Sequence, residues 1–396
     1  MIFTQNQQQV INAAVDWYRN SSELTFQISG NPGTGKSTIL KCIIEKLGLS
    51  MDRIAPMAFI GAAAIVMRQK GFYNAKTIHS WLLEPVKDVK KDKNGNDVMN
   101  EYFNIPELGI RFVPKMIFGI DLFVVDEAGS VPLPLRKVIE MHKIKTIAVG
   151  DIDQLPPVKY ESAYLTSGNI HYLTEIFRQS EGSGIIYLSQ RLKRGLPIHY
   201  GYYGDCSVIH DYEVTDDMIL ASDVLICGKN DTRDGITKVV RENILHIDSD
   251  LPRHGERLVC RKNNWGYEID GISLANGLIG EVYNYPDMSN VTKDGFYIDF
   301  KPMMLNSPFR GLLVDFNYFK APFKDKYKLK YGKFSKGEKM EYAYAITTHI
   351  AQGGEFANGM YFQEYLNPSI NNQLHYTGIT RFSNYCIYVK KARKYY

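Results

Sequence analysis

The chain has 396 residues, of which 44% are apolar and 23% charged, with a net charge of +4 and a pI near 8.5. This length and composition predict a soluble globular protein of two or more domains, and the charge permits a nucleic-acid partner without requiring one. The five cysteines form no C-x-x-C pair, which argues against a zinc ribbon or disulfide framework, and the longest apolar run, residues 57–67, is too short to span a bilayer.

The stretch SGNPGTGKST lies between an apolar run at residues 24–28 and a helical pattern at residues 39–47. Glycines between a strand and a helix let several backbone N–H groups point at one anion. Lys36 supplies a charge for the outer phosphates, and the Ser37 hydroxyl can ligate Mg²⁺. The full G-x-x-x-x-G-K-[ST] match therefore predicts a nucleotide site, which kinases, GTPases, transporters and motors share. The predicted phosphate-binding residues are Gly30, Asn31, Pro32, Gly33, Thr34, Gly35, Lys36, Ser37 and Thr38.

A polar insertion follows at residues 84–113. Asn94 and Gly95 lie between polar arms, a pattern that predicts a β-hairpin. The lysines of this segment, taken singly, are typical of a solvated sheet edge.

Two apolar strands then end in polar residues. LFVVDEAG at residues 122–129 ends in Asp126 and Glu127, an arrangement that places one carboxylate near Mg²⁺ and another near an attacking water. AVGDIDQLPPV at residues 148–158 follows the next strand, so Gln154 is expected at the carboxyl end of the sheet, able to sense a γ-phosphate. The alternative for the second segment is a proline-stiffened turn.

Strands and helical patterns alternate through both halves of the chain. The second half has a helix near residues 184–193, the strand DVLICG, a helix near residues 232–245 and the strand NYCIYV. This alternation predicts an α/β fold of two parallel-sheet lobes, with sites at the carboxyl ends of strands. Short β-like runs with turn signals at residues 261–336 interrupt the second lobe and predict a small barrel or sandwich of the SH3 or OB kind.

Taken in order, these motifs resemble those of superfamily 1 DNA helicases of the 5′-to-3′ subgroup, the RecD-like and phage Dda-like enzymes. The resemblance covers nearly the whole chain through FTQNQQQVI, IAPMAFIGAAA, TIHSWL, LTEIFRQ, ITTHIAQGGEF and YTGITRFSN. It implies two RecA-like P-loop NTPase lobes, a pin hairpin that splits the duplex and an SH3-like β-barrel insertion. The implied boundaries are 1–83 and 114–172 for the first lobe, 84–113 for the hairpin, 173–261 and 337–396 for the second lobe, and 262–336 for the barrel.

The resemblance also implies roles for single residues. Gln7 is the expected reader of adenine, although Thr4 and Gln7 also fit a helix capping box. Arg178 and Arg381 are the expected arginine fingers that reach the γ-phosphate from the second lobe, and Glu355 is expected near the ribose. The residues expected to contact single-stranded DNA are Pro56, Thr77, His79, Thr347 and His349.

The chain departs from the family pattern at a few positions. Gly129 stands where a serine is usual, and Ile350 stands where a lysine is common. Ala351 and Gly354 replace common serines. Loss of the lysine removes one contact to the DNA backbone, so we expect a flatter salt dependence of DNA affinity. Among the motif residues, His79 taken singly is more typical of a packed core histidine.

The motifs predict an ATP-dependent DNA helicase, and the resemblance implies that it translocates 5′-to-3′ and acts in DNA replication, recombination or repair. Glu127 is the expected general base, Asp126 and Ser37 hold Mg²⁺, and Gln154 positions the reacting groups. Lys36 neutralises phosphate charge, and the two arginines stabilise the transition state.

The expected cofactors are ATP and Mg²⁺, and the expected partners are single-stranded DNA and forked duplex. A single-strand-binding protein or replisome components are further candidate partners, and no membrane partner is expected. The chain is expected to act as a monomer. Its expected location is the cytoplasm, or the host cytoplasm if the chain is phage-encoded. One alternative is a single-strand translocase that displaces proteins with little unwinding. Another is a DNA-binding module without activity, which the intact catalytic residues oppose.

Overall fold

The structure is a computed structural model that describes residues 3–89, 96, 108–157, 161–166, 168–175, 182–284, 291–331 and 337–391. Among these residues no helix has the length and apolar character needed to cross a bilayer. The chain forms two parallel-sheet lobes, a two-stranded hairpin on the first lobe and an antiparallel sheet inserted in the second.

The first lobe is a parallel sheet covered by helices. Its strands, with the two of the hairpin, are β1 (Thr25–Gly30), β2 (Ile54–Ala58), β3 (Lys76–Thr77), β4 (Leu83–Val89), β5 (Leu108–Pro114), β6 (Leu122–Asp126), β7 (Lys145–Gly150) and β8 (Ile170–Leu173). Its helices are α1 (Gln5–Asn20), α2 (Lys36–Leu47), α3 (Gly61–Gln69), α4 (Ile78–Leu82) and α5 (Leu133–Met141). The strand order is β3-β2-β6-β7-β1-β8, with each neighbouring pair parallel.

Helix α1 is fixed at both ends by side chains. At its start, Thr4 and Gln7 form the capping box that the sequence indicates. At its end, the Lys145 ammonium of β7 donates to the carbonyls of Trp17, Tyr18 and Ser21 at 2.8, 2.8 and 2.7 Å. The Trp17 carbonyl also accepts from the Ser21 N–H, and the lysine adds a donor for all three carbonyls and complements the helix dipole.

The hairpin consists of β4 and β5, which pair antiparallel from Leu83 opposite Pro114 to Val89 opposite Leu108. The predicted turn at Asn94 and Gly95 lies outside the described residues. The role of this segment as a pin stays a prediction.

The second lobe repeats the layout of the first. The strands of the second half are β9 (Gly201–Tyr202), β10 (Cys206–His210), β11 (Val224–Cys227), β12 (Arg257–Cys260), β13 (Asn264–Ile269), β14 (Ile272–Leu274), β15 (Ile279–Asn284), β16 (Gly295–Pro302), β17 (Phe309–Asp315), β18 (Met340–Tyr342), β19 (Ala345–Thr347), β20 (Phe356–Phe362) and β21 (Phe382–Lys390). The helices are α6 (Gly184–Lys193), α7 (Asp216–Leu220), α8 (Asn230–Lys238), α9 (Phe316–Lys320), α10 (Phe323–Tyr331), α11 (Thr348–Ala351) and α12 (Asn371–Ile379). The lobe's sheet has the order β19-β11-β20-β21-β10-β9 and is parallel except for β9.

A carboxylate closes the junction between β11 and α8. Glu364 accepts hydrogen bonds from the backbone N–H groups of Gly228 and Lys229 at 2.9 and 2.8 Å and from the Thr232 hydroxyl at 2.5 Å. The first N–H groups of a helix attract an anion, and here the protein supplies it.

The inserted sheet is antiparallel, with the order β17-β16-β15-β12-β18. It begins at Arg257 and ends at Tyr342, a few residues beyond each end of the predicted segment 262–336. Helices α9 and α10, which the strand pattern did not indicate, lie between its last two strands along the chain. The SH3-like character of this sheet and the domain boundaries stay predictions.

The insertion also touches the first lobe, although the second lobe carries it. The turn between β13 and β14 lies against α3, where the Arg68 guanidinium donates to the Asp270 carbonyl. A side chain at Gly61 would come within 2.6 Å of the Ala275 methyl. Ile272 and Leu274 join the apolar core of the first lobe, so the two bodies share one packed interior.

The two parallel-sheet lobes confirm the predicted α/β fold class. They also place the carboxyl ends of β1, β6 and β7 side by side, because these strands are neighbours in the first sheet.

Candidate active site between the two lobes

The phosphate loop and the two acidic strand ends meet at one edge of the first sheet. Strand β7 pairs with β1 so that Ser29 lies opposite Gly150, and it pairs with β6 so that Val125 lies opposite Ala148. The residues that follow the ends of β1, β6 and β7 therefore lie at the same edge of the sheet. This register brings together Lys36, Asp126 and Asp151, which the sequence places far apart.

The loop after β1 has the geometry that phosphate binding requires. Gly33 and Gly35 both have φ of 80°, in the left-handed region that glycine tolerates. A side chain at Gly30 would approach the Thr34 hydroxyl to 2.6 Å. The Lys36 ammonium donates to the carbonyls of Gly30 and Asn31 at 2.6 and 3.2 Å, so it already points along the loop. Loop and lysine together form a cationic cradle.

Asp126 and Glu127 form a tight acidic pair at the end of β6. The backbone of Glu127 has φ of 49°, a strained value for this residue, and its N–H donates to Asp126 Oδ1 at 2.9 Å. Desolvation by the surrounding protein raises the pKa of Asp126, the Glu127 carboxylate raises it further, and the nearby Lys36 opposes both effects. Because burial and the Glu127 carboxylate disfavour the charged form of Asp126, a cation bound beside this carboxylate would stabilise it.

These donors fit a Mg²⁺ ion of the kind that a nucleotide brings. Mg²⁺ is commonly held by one or two carboxylates together with substrate phosphates and waters. The residues that would hold it are Asp126, through its carboxylate, and Ser37, at the start of α2, through its hydroxyl. Within the described part of the chain no cluster of three or more His, Cys, Asp or Glu residues forms a metal site.

The second lobe contributes Arg381 to this edge. Its guanidinium Nη1 lies 3.6 Å from Glu127 Oε1. The same guanidinium donates to the carbonyls of Thr377 and Gly354 at 3.2 and 3.3 Å, which hold it in place. Arg381 is almost fully buried, so its charge acts with little screening by solvent. The other predicted finger, Arg178, lies outside the described residues.

Gln154 lies beside Glu127 in a small cavity between the lobes. The first lobe lines this cavity with Glu127, Gln154 and the backbone near Gly129, and the second lobe lines it with Gln352 and Gly353. The predicted meeting of Lys36, Asp126, Glu127, Gln154 and Arg381 is thus seen in the structure. Their catalytic roles stay predictions.

The motif analysis missed several residues that join the lobes here. Tyr376 donates its hydroxyl to Asp151 at 2.5 Å, Gln352 donates to the Leu155 carbonyl at 2.8 Å, and Lys193 pairs with Asp153. Tyr376 and Gln352 lie inside motifs that the sequence shows. Their partners lie about 200 residues away along the chain, and no local spacing indicates such a contact.

Gln7 is tied to the phosphate loop. Its side chain is fully buried, its Oε1 accepts from the Thr4 N–H at 3.0 Å, and its Nε2 donates to the Thr34 carbonyl at 3.1 Å. Both polar atoms of the amide therefore bond to the protein. The structure supports a bracing role for Gln7, and its reading of adenine stays a prediction.

Glu355 pairs with the first lobe at a second position. Its carboxylate lies 2.8 Å from the Lys70 ammonium at the end of α3, and both side chains are exposed. It also lines a cavity of about 250 Å³ between α3, the insertion and the second lobe. Its approach to a ribose stays a prediction.

The AAA domain family matches residues 3–213, which is more than half of the chain. The chain belongs to this family. The matched region of the AAA domain contains the phosphate loop, the acidic pair and Gln154, and it ends early in the second lobe, before Arg381.

Two curated relatives resemble this AAA domain protein in sequence. The uncharacterized protein MJ1519 of Methanocaldococcus jannaschii is 25% identical over 89% of this chain and 35% of its own length. The RecBCD enzyme subunit RecD of Buchnera aphidicola subsp. Schizaphis graminum is 30% identical over 34% of this chain and 23% of its own length. The chain thus matches only about a third and a quarter of the lengths of these relatives.

A solved structure shows the same fold as this AAA domain protein. The Pif1 helicase from Bacteroides, in complex with ADP-AlF3 and single-stranded DNA, matches with a TM-score of 0.54 and 18% identity over 98% of this chain and 92% of that one. These similarities confirm the predicted resemblance to RecD-like superfamily 1 helicases.

The predicted DNA-contacting residues of the AAA domain protein fall into two groups. His79 lies in an aromatic cluster with Phe112 of the hairpin and Trp265 of the insertion, at ring distances of 6.1 Å from each. Burial lowers the pKa of His79, so it is neutral at pH 7. Thr77 caps α4, its hydroxyl accepting from the Ser80 N–H at 3.2 Å. These two lie close to the hairpin.

Thr347 and His349 form the second group, on the second lobe, and Pro56 lies apart from both groups inside the first sheet. Thr347 and His349 lie where β19 passes into α11, and burial lowers the pKa of His349 as well. Pro56, by contrast, is buried within β2, and its carbonyl accepts from the Trp81 indole at 2.9 Å. A buried proline in a central strand cannot touch a strand of DNA in this conformation, so its placement does not support the predicted contact.

Proposed function

We propose that this chain is an ATP-driven DNA helicase that translocates 5′-to-3′ on single-stranded DNA and unwinds duplex DNA. The observation that carries the proposal is Arg381 of the second lobe lying beside Glu127, at the edge where the first lobe holds its phosphate loop. A basic group from one lobe at a nucleotide site on the other lets the nucleotide control how the lobes meet.

Each residue of the cleft has a separate role in hydrolysis. Lys36 exchanges the carbonyls of Gly30 and Asn31 for the outer phosphates, and Glu127 takes a proton from the attacking water. Arg381 moves its interaction from Glu127 to the charge that develops on the γ-phosphate, which leaves the base free to act. Asp126 and Ser37 would hold a Mg²⁺ ion, which would neutralise part of the phosphate charge.

The attraction between the nucleotide and Arg381 then couples hydrolysis to movement of the lobes. The triphosphate attracts Arg381 and keeps the lobes together, whereas loss of the γ-phosphate weakens this attraction and allows the lobes to separate. If each lobe grips a single strand, each cycle moves the strand by a small step. The strand grips proposed for this purpose are the region around Thr77 and His79 on the first lobe and Thr347 and His349 on the second.

Several parts of the proposal rest on similarity. The related Pif1 structure contains single-stranded DNA and a nucleotide analogue, which supports the same ligands here. The direction of movement, action as a monomer, a cytoplasmic location, and roles in replication, recombination or repair with a single-strand-binding protein or replisome components follow from the resemblance to RecD-like helicases.

An unwinding assay tests the proposal. Matched duplexes with a 5′ or a 3′ single-stranded tail, or with both, are incubated with the full chain in the presence and absence of ATP and Mg²⁺. We expect strand separation only with ATP and only where a 5′ tail is present. Unwinding from 3′ tails alone would reverse the assigned direction, and absence of DNA-stimulated ATP hydrolysis would reject the motor.

Shortening the hairpin separates the helicase from the alternative translocase. Residues 90–107 are replaced by a two-residue Asn-Gly turn, which keeps the paired arms β4 and β5. We expect unwinding to fall while DNA-stimulated ATP hydrolysis is retained. If unwinding is unchanged, this hairpin is not the pin.

A further inference from the structure

The segment that follows β7, residues 151–155, belongs to the first lobe but is held by the second. We call it the 151–155 loop. Its Leu155 peptide uses both polar groups across the cleft: the N–H donates to the Thr377 hydroxyl at 2.9 Å, and the carbonyl accepts from Gln352 at 2.8 Å. Asp153 pairs with Lys193 of α6. The first lobe also holds the start of this loop, because the Ile152 N–H donates to the Ser29 hydroxyl at 3.2 Å, so the second lobe fixes mainly the part at Asp153 and Leu155.

Asp151 is the centre of these contacts. Its side chain is almost completely buried, and its Oδ2 accepts from the Tyr376 hydroxyl at 2.5 Å and from the Gln154 amide at 3.5 Å. Its Oδ1 accepts from the Asp153 N–H at 3.0 Å. One carboxylate oxygen thus links a tyrosine of the second lobe to the glutamine that lines the cavity beside Glu127.

The same short element of the second lobe delivers Tyr376 and the arginine. Tyr376 and Thr377 lie in α12, and Arg381 follows two residues after that helix ends. The Arg381 Nε also donates to the Thr377 carbonyl at 3.2 Å. Because these residues form one packed unit, the tyrosine reaches Asp151 in the same lobe arrangement that brings Arg381 to Glu127.

We propose that Tyr376 is a positioning residue for ATP hydrolysis, which holds Asp151 and, through it, fixes Gln154 beside the base only while the lobes are closed. The inference rests on the proposed function and adds a second requirement to it. Closure of the lobes brings Arg381 to the site and also fixes the Gln154 side chain of the first lobe. An open cleft therefore lacks both the arginine and a fixed Gln154, which limits ATP hydrolysis away from DNA-engaged, closed states.

The test removes one hydroxyl. Tyr376→Phe in the full chain keeps the ring but cannot donate to Asp151. We expect kcat for DNA-stimulated ATP hydrolysis to fall about tenfold, with KM for ATP nearly unchanged, because only the reacting geometry is lost. The control is Tyr388→Phe, a buried tyrosine of the same lobe whose hydroxyl has no hydrogen-bond partner among the described residues. It should retain wild-type kinetics.

A double-mutant cycle distinguishes positioning from a merely structural role. If Tyr376 acts through Gln154, Tyr376→Phe combined with Gln154→Ala is no slower than Gln154→Ala alone. Losses that multiply, a kcat for Tyr376→Phe within about twofold of wild type, or a raised KM with unchanged kcat would overturn the inference.

The inference and the proposed function fail in different ways. A wild-type chain without DNA-stimulated hydrolysis rejects the function, whereas an active wild type with an equally active Tyr376→Phe rejects the positioning role alone. Melting temperatures establish that the variants are folded. Where Tyr376→Phe does not fold, Asp151→Ala removes the acceptor of the same hydrogen bond from the first lobe and should show the same loss of kcat without a change in KM.

Discussion

The chain builds two similar strand-to-helix junctions and fills them differently. Between β11 and α8, the carboxylate of Glu364 occupies the N–H groups of Gly228 and Lys229. Between β1 and α2, the loop presents its N–H groups around Lys36, and none of the hydrogen bonds among the described residues brings an acidic side chain to them. A helix N-terminus favours an anion in both places. We call the β11–α8 junction, whose N–H groups Glu364 occupies, the closed junction, and the β1–α2 junction, which we propose binds phosphate, the open junction.

Removing the lysine of the open junction should have the largest effect. Lys36→Ala deletes the charge that meets the outer phosphates, so we expect DNA-stimulated ATP hydrolysis to fall by about a hundredfold or more. Arg381→Ala should do the same from the other lobe. Steady-state kinetics with saturating single-stranded DNA measures both changes.

The matched control for these variants is Lys137→Ala. Lys137 is exposed on α5, away from the cleft. Near-normal turnover in Lys36→Ala or Arg381→Ala would contradict the assignment of the cleft as the hydrolysis site.

Emptying the closed junction should cost stability. Glu364→Ala leaves the N–H groups of Gly228 and Lys229 and the Thr232 hydroxyl without their acceptor, and we expect the free energy of unfolding to fall by about 3 kcal/mol. Urea denaturation followed by circular dichroism measures it. Glu140→Ala, which breaks only the exposed pair with Arg136, should change stability by less than about 0.5 kcal/mol. Equal losses in the two variants would show that the junction does not need its carboxylate.

Gln7 tests how the open junction is braced. Gln7→Ala removes the bond from the Thr4 N–H and the bond to the Thr34 carbonyl, so we expect a loss of about 2 kcal/mol. Thr4→Ala removes only the hydroxyl that accepts from the Gln7 N–H, and we expect about 1 kcal/mol. Hydrolysis of ATP and GTP should fall by the same factor in Gln7→Ala, because the amide is already bonded to protein. A selective loss of ATP hydrolysis would instead establish Gln7 as a reader of adenine.

The smallest expected effect on stability concerns Asp126, the acid beside the open junction. Desolvation and the neighbouring Glu127 raise the pKa of Asp126, so the folded protein holds this proton more tightly than the unfolded chain does. Stability therefore decreases as pH rises from the ordinary value of 3.8 towards the raised pKa, and the full cost is present above it.

Asp126→Asn removes this cost. We expect the variant to gain unfolding free energy at neutral pH and to lose this gain as the pH falls towards and below the ordinary value of 3.8, while ATP hydrolysis is lost. Thermal or urea unfolding across this pH range measures the difference. A loss of stability at neutral pH would show that Lys36 more than compensates the buried charge.

The open junction was predictable from sequence because its chemistry is local. Three glycines, a lysine and a serine stand within eight residues, and the flanking periodicities fix the strand and the helix. The acids at the ends of β6 and β7 were predictable for the same reason. Parallel strands then bring these local signals to one edge, so the fold class and most of the cleft follow from patterns within short segments.

The closed junction and the contacts between the lobes were not predictable. Glu364 lies more than 130 residues from the N–H groups that it binds, and Tyr376 lies 225 residues from Asp151. Nothing in a strand pattern selects one distant partner over another. Pro56 shows the limit of a motif position, which predicts contact with DNA at a residue that strand packing buries, and this contact stays a prediction.

The contact between the β13–β14 turn and α3 has a mechanical consequence. The insertion is attached to the second lobe, yet it bears on the first lobe at Arg68 and Gly61. We infer that this contact limits how far the lobes can separate on this side, because the insertion of the second lobe would have to leave α3 before the cleft could widen there.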